Sequence, residues 1–87
     1  MKVLIVDDHP LFLVGLRHIF TAASHDIELL EATNFADALE LIIQDQDIDW
    51  LCLDLQIPGG NGIGFIERLR NRGITLPVAI LTAALII

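Results

Sequence analysis

The sequence predicts an α/β chain, a parallel sheet covered by helices on both faces. Three observations predict it. The apolar runs Val3-Leu4-Ile5-Val6, Trp50-Leu51-Cys52-Leu53 and Val78-Ala79-Ile80-Leu81 are continuous rather than alternating, as in strands buried on both faces. Between them lie stretches whose apolar residues recur with the helical period. The composition is 54% hydrophobic, with mean hydropathy +0.64, which suits such a sheet.

Each element has its own signal. Val3 to Val6 is strand one. Pro10 suits a first helical turn, where its missing N–H costs nothing. Leu11, Val14, Leu16, Ile19 and Phe20 are expected to form the apolar face of helix one. His25-Asp26 is loop. Ile27 to Ala32 is strand two, polar enough for a sheet edge. Asn34 is the expected N-cap of helix two, with Asp37 in a first turn favoured by the helix dipole. Phe35, Ala38, Leu39, Ile42 and Ile43 make its amphipathic stripe. Strand three runs to Leu53, and Pro58-Gly59-Gly60-Asn61-Gly62 is loop by composition. Helix three carries Phe65, Ile66 and Leu69, with Arg68, Arg70 and Arg72 toward its negative end and Gly73 as the terminating glycine. Pro77 starts strand four. The order βαβαβαβ with right-handed crossovers gives a parallel sheet of order 2-1-3-4, a flavodoxin-like three-layer α/β/α arrangement.

Eighty-seven residues make one domain with a small core. A net charge of -7, from 5 basic and 12 acidic side chains, argues against this segment binding nucleic acid or an anionic membrane. The single Cys52 excludes an intrachain disulfide and is expected to be a buried core thiol, compatible with a reducing cytoplasm. No secretory signal is visible, because two aspartates interrupt the first apolar stretch after Val6. The run Val78 to Ile87 is shorter than the roughly 20 residues that span a bilayer.

The acids carry the chemistry. Asp7 and Asp8 end strand one, Asp54 ends strand three, and the hydroxyl of Thr82 ends strand four. In a parallel sheet the carboxyl ends of the strands share one edge, where ligands bind. Three carboxylates and a hydroxyl there suit a hard divalent cation and a phosphoryl group. Adjacent aspartates after a strand also suit a plain solvated turn; their coincidence with Asp54 and Thr82 favours the metal site. A carboxylate such as Asp54 is a competent nucleophile once its charge is offset, and a bound Mg²⁺ would offset it. Gly59, Gly60 and Gly62 follow an Asp-x-x-x-Pro loop, so they supply backbone freedom rather than a dinucleotide fingerprint. His9 is expected to be a surface residue at the helix entry, and His18 and His25 structural or exposed.

These residues resemble a known family. Val3-Leu4-Ile5-Val6-Asp7-Asp8-His9-Pro10, then Asp54-Leu55-Gln56-Ile57-Pro58-Gly59-Gly60-Asn61-Gly62, then Leu81-Thr82-Ala83, look like the receiver domain of bacterial two-component response regulators. The Asp-Asp-His-Pro opening is most similar to the subfamily whose receivers are joined to a helix-turn-helix DNA-binding domain. The resemblance covers essentially all of residues 1–87. It implies that Asp54 is the phospho-acceptor and Thr82 the switch hydroxyl. It implies that Asp7, Asp8, Asp54 and the Gln56 backbone carbonyl hold Mg²⁺. It further implies a cytoplasmic signalling protein rather than an enzyme, partnered by a sensor histidine kinase, reaching DNA only through an output domain outside this chain and having no membrane contact.

The resemblance also has a departure. A receiver continues through a fourth helix, a fifth strand ending in a phosphoryl-binding lysine, and a fifth helix, and the sequence has none of these after Leu81. Its one lysine, Lys2, starts strand one, at the opposite edge of the sheet. The expectations are an incomplete C-terminal side, slow phosphorylation of Asp54, and a homodimer through strand four and Leu85, Ile86 and Ile87. Two other functions stay open: a receiver-like interaction or dimerisation module that no longer switches, and a small Mg²⁺-dependent phosphohydrolase.

Overall fold

The computed structural model describes residues 1–23, 26–57 and 60–81. Thr82 and the segment through Leu85, Ile86 and Ile87 lie outside the described residues, as do His25, Pro58 and Gly59. The elements are β1 (Lys2–Val6), α1 (Pro10–Ala23), β2 (Glu28–Ala32), α2 (Phe35–Gln44), β3 (Trp50–Asp54), α3 (Gly62–Asn71) and β4 (Val78–Leu81). The four strands form one sheet in the order β2-β1-β3-β4, and every pairing is parallel. This is the predicted 2-1-3-4 order. Pro77 lies just before β4, where its carbonyl accepts from the Leu51 N–H at 2.9 Å.

Side-chain alternation divides the core into two halves. Leu4, Val6, Leu51 and Leu53 face α2 and α3, where they meet Ala38, Ile42, Phe65 and Leu69. Val3, Ile5 and Cys52 face α1 and meet Leu13, with Leu16 and Phe20 packed alongside. Period-2 alternation in the strands is what separates the two sets. Helix α1 departs from expectation. Leu11 is 88% exposed, and Val14 and Ile19 are exposed as well, so the face against the sheet is Leu13, Leu16 and Phe20. The sequence of α1 is apolar nearly all round, so periodicity alone does not select its inward side. On α2 the predicted stripe packs inward except for Ile43, which is exposed.

Local chemistry sets the helix ends. Asn34 caps α2 by accepting from the Asp37 N–H at 2.8 Å. Asn61 caps α3 by accepting from the Ile63 and Gly64 N–H groups; the loop-like composition around it concealed this cap. Gly73, one residue past the C-cap Arg72, terminates α3 with a φ of +77° that glycine adopts without strain. The Ile74 N–H reaches the Leu69 carbonyl and the Gly73 N–H reaches the Arg70 carbonyl, the paired closure that stops a helix cleanly. Arg70 then donates to the Ile74 and Leu76 carbonyls at 2.8 and 2.9 Å and steers the chain into β4.

Candidate functional site

The site is built at the carboxyl ends of β1 and β3. Their register pairs Val6 with Leu53, so one further step sets Asp7 beside Asp54. Alternation turns both toward the α1 side, the side of Val3, Ile5 and Cys52. Both are buried, Asp7 to 2% and Asp54 to 8% exposure. The Asp7 N–H donates to the Ala32 carbonyl at 3.0 Å, which ties the end of β1 to β2.

The two aspartates share a local device. Asp7 Oδ1 accepts the His9 N–H at 2.9 Å, and Asp54 Oδ1 accepts the Gln56 N–H at 2.9 Å. Each side chain thus bonds the backbone two residues on, the turn that aspartate favours. At Asp7 the turn leads into α1, where the Leu13 N–H donates to the His9 carbonyl at 3.0 Å.

The acids converge with a histidine. Asp7, Asp8, His9 and Asp54 each offer a ligand atom, and these atoms all lie within 4.8 Å of one another. His9 Nδ1 lies 2.6 Å from Asp7 Oδ1, 3.2 Å from Asp8 Oδ1 and 3.5 Å from Asp54 Oδ2. An ionised carboxylate only accepts hydrogen bonds, so the ring N–H donates to Asp7. That bond is the main cause that raises the imidazole pKa above its ordinary value. The Asp7 charge adds to it, desolvation opposes it, and Asp8 and Asp54 contribute less. No Lys or Arg among the described residues forms an ion pair with these acids. Lys2 is engaged at the other end of β1, 2.7 Å from Asp45 and 3.6 Å from Glu28.

One atom of the cluster has no partner. Asp8 Oδ1 is buried and makes no hydrogen bond; its contact with His9 is electrostatic only. A buried carboxylate oxygen in that condition is costly unless a cation meets it. The all-oxygen set of three carboxylates is the kind that hard divalent ions take. These residues therefore fit Mg²⁺. A cavity of about 320 Å³ opens beside them, lined by Asp7, His9, Leu11, Phe12, Asp54, Gln56 and Leu81.

Of the residues singled out in the sequence, Asp7, Asp8 and Asp54 come together, and Gln56 lines the same cavity. Thr82 lies outside the described residues, one position after Leu81. The sequence reads His9 as a surface or helix-entry residue rather than a catalyst, and it does stand exposed just before α1. Its side chain is 63% exposed, yet its ring nitrogen is inserted among the acids. The signal was its position, two residues after Asp7, where an aspartate turn closes.

Comparison with known proteins identifies the family. The family model of the response regulator receiver domain matches residues 3–85. The glycerol metabolism activator of Pseudomonas putida is 40% identical over 82 residues, which are 94% of this chain and 37% of that protein. The DNA-binding transcriptional activator EvgA of Escherichia coli is 34% identical over 84 residues, 95% of this chain and 40% of that protein. The chain thus spans about two fifths of the length of these relatives. Among solved structures, a complex of histidine kinase ThkA with response regulator protein TrrA contains a chain that superposes with a TM-score of 0.81 at 26% identity. The match covers 94% of this chain and 68% of that one.

Proposed function

The chain belongs to the response regulator receiver domain family, and from that premise we propose that Asp54 is its phospho-acceptor in a Mg²⁺-dependent phosphotransfer. The observation that carries this reading is the convergence of Asp7, Asp8 and Asp54 around one buried carboxylate oxygen, Asp8 Oδ1, that has no hydrogen-bond partner. Asp7, Asp8, Asp54 and the Gln56 carbonyl would hold the ion. When bound, Mg²⁺ offsets the negative charge of the acids and of the incoming phosphoryl group.

The protein's own residues then do the rest. The Gln56 N–H holds Asp54 Oδ1 and so orients the carboxylate. A carboxylate oxygen of Asp54 attacks phosphorus. The new P–O bond gives an acyl phosphate, and the bond from phosphorus to the donor breaks with its electron pair leaving on the donor. No general base is needed, because an ionised carboxylate carries no proton to remove. Asp54 is only 8% exposed, which limits access of water to it. Thr82, one residue beyond Leu81, is the hydroxyl we assign to the phosphoryl oxygens.

We assign a sensor histidine kinase as the donor, supported by the kinase complex of the structural relative. The relatives are regulators rather than enzymes, and the output we assign is transcriptional. With a net charge of -7, the chain itself would not hold DNA; an output domain would. No helix among the described residues is long and apolar enough to cross a membrane. From its membership of the receiver family we place the protein in the cytoplasm.

The test is labelling with acetyl phosphate and Mg²⁺, read by intact mass. The expected result is one added phosphoryl group in the unmodified chain and none in Asp54→Asn or when the metal is chelated. Labelling that survives Asp54→Asn would overturn the assignment.

A further inference from the structure

The His9 ring sits where a cation would sit. Its Nδ1 contacts one oxygen from each of three different carboxylates, at 2.6, 3.2 and 3.5 Å. A divalent ion bound to those same oxygens would lie about 2.0–2.6 Å from each of them. The ion and the ring nitrogen therefore claim one volume. We propose that His9 is a built-in occupant of the cation position, one that an incoming divalent ion displaces, so that this side chain sets the chain's affinity for the metal. The inference rests on the reading of Asp7, Asp8 and Asp54 as a metal site.

The geometry gives both a reason for the occupant and a way out for it. Without a cation, three carboxylates with ligand atoms within 4.8 Å of one another repel. A ring N–H donated into the cluster relieves part of that cost. The ring is largely open to solvent. Its side chain is 63% exposed, and its polar contacts among the described residues are with these acids alone. Leaving the cluster needs no backbone movement. The His9 N–H bond to Asp7 Oδ1 and the His9 carbonyl bond to Leu13 belong to the main chain and stay in place. Pro10 restricts the His9 backbone further, so the motion is a side-chain rotation into solvent.

An occupant of this kind acts by competition. The observed dissociation constant for the metal is the intrinsic one divided by the fraction of molecules in which the ring is out. Removing the ring should then tighten binding without adding any ligand. A role for His9 as a fourth ligand predicts the reverse, because losing a nitrogen donor weakens binding.

The experiment is a MgCl₂ titration at fixed pH, followed by the backbone amide signals of residues 7–9 and 54–57 in two-dimensional NMR. The unmodified chain, His9→Ala and Asp8→Ala are compared. The expected result is a Mg²⁺ dissociation constant lowered about three- to tenfold in His9→Ala, with the His9 ring signals of the unmodified chain moving toward those of a free imidazole as Mg²⁺ is added. Binding in His9→Ala alone would equally support the inference. An equal or weaker constant in His9→Ala overturns the displacement while leaving the metal site standing. Absence of binding in both the unmodified chain and His9→Ala, or binding unaffected by Asp8→Ala, overturns the site and the inference together.

Discussion

The Gln56 backbone N–H donates to Asp54 Oδ1 at 2.9 Å. The bond fixes the Asp54 carboxylate from its own chain, two residues downstream, and makes the two oxygens unlike. Oδ1 is tied to the main chain, whereas Oδ2 lies 3.5 Å from His9 Nδ1.

Because Gln56 acts here through its backbone, its side chain should be dispensable. Gln56→Ala is expected to keep the rate of acetyl phosphate labelling within about twofold, since the hydrogen bond to the charged carboxylate is retained. Labelling time courses by mass spectrometry check this. A loss of tenfold or more would show that the amide side chain takes part.

Asp8→Ala should stabilise the chain in the absence of metal. It removes a buried oxygen with no hydrogen-bond partner and one of three crowded negative charges. The expected gain is about 1 kcal/mol in urea unfolding with chelator present. Added Mg²⁺ should then stabilise the unmodified chain and have little effect on the variant, as linkage requires. A variant less stable than its parent in chelator would contradict this.

The inward face of α1 can be tested by a pair of truncations. Leu13 is buried against Val3, Ile5 and Cys52, whereas Leu11 is 88% exposed. Leu13→Ala should cost about 2–4 kcal/mol and Leu11→Ala less than about 0.5 kcal/mol. Denaturant midpoints decide it. Equal losses would mean that α1 is rotated about its axis, with Leu11 turned toward the sheet.

Gly60 should not accept a side chain. A Cβ there would run into the ring of Phe35, and that ring is stacked on Phe65 with centroids 5.0 Å apart. Gly60→Ala is expected to cost about 1–3 kcal/mol, as overpacking does. Most of this should return in Gly60→Ala combined with Phe35→Leu, measured against Phe35→Leu alone by thermal unfolding. A fully additive double variant would locate the cost elsewhere.

Stability should fall at acid pH partly through Asp45. The Lys2 ammonium donates to this carboxylate at 2.7 Å and, with the Asp47 N–H, holds its pKa below the ordinary value. A depressed carboxylate contributes above its unfolded pKa, and that contribution is lost as pH falls through the folded one, below about pH 4. Lys2, raised chiefly by its hydrogen bond to Asp45, contributes below its unfolded pKa and loses this as pH rises through the folded value, above about pH 10. Between these limits the pair is insensitive to pH. Asp45→Asn should therefore narrow the difference in urea midpoint between about pH 3 and about pH 7. An unchanged difference would remove the pair from the acid response.

Much of the fold was legible because the hydrophobic period changes cleanly between strands and helices. Asp7, Asp8 and Asp54 were legible because each directly follows or ends an apolar run. Three features were not legible, each for a physical reason. The face of α1 is chosen by the sheet, since Leu11, Val14 and Ile19 are as apolar as Leu13, Leu16 and Phe20. The Asn61 cap is hidden in a stretch whose composition signals only loop. The place of His9 depends on the turn that the Asp7 side chain closes on the His9 N–H, a local relation carried by position that residue type alone does not announce.

The shared alternation of β1 and β3 has an evolutionary consequence. Leu51 and Leu53 enter the core on one face of the strand, while Cys52 and Asp54 face the other. Inserting or deleting one residue within β3 would reverse every side chain beyond it. It would expel a leucine from the interior and, in the same event, carry Asp54 away from Asp7. A lineage could not drift out of this chemistry by sliding the strand without first losing the folded protein. Single substitutions at Asp7, Asp8 or Asp54 remain the open route, and these leave the hydrophobic halves untouched.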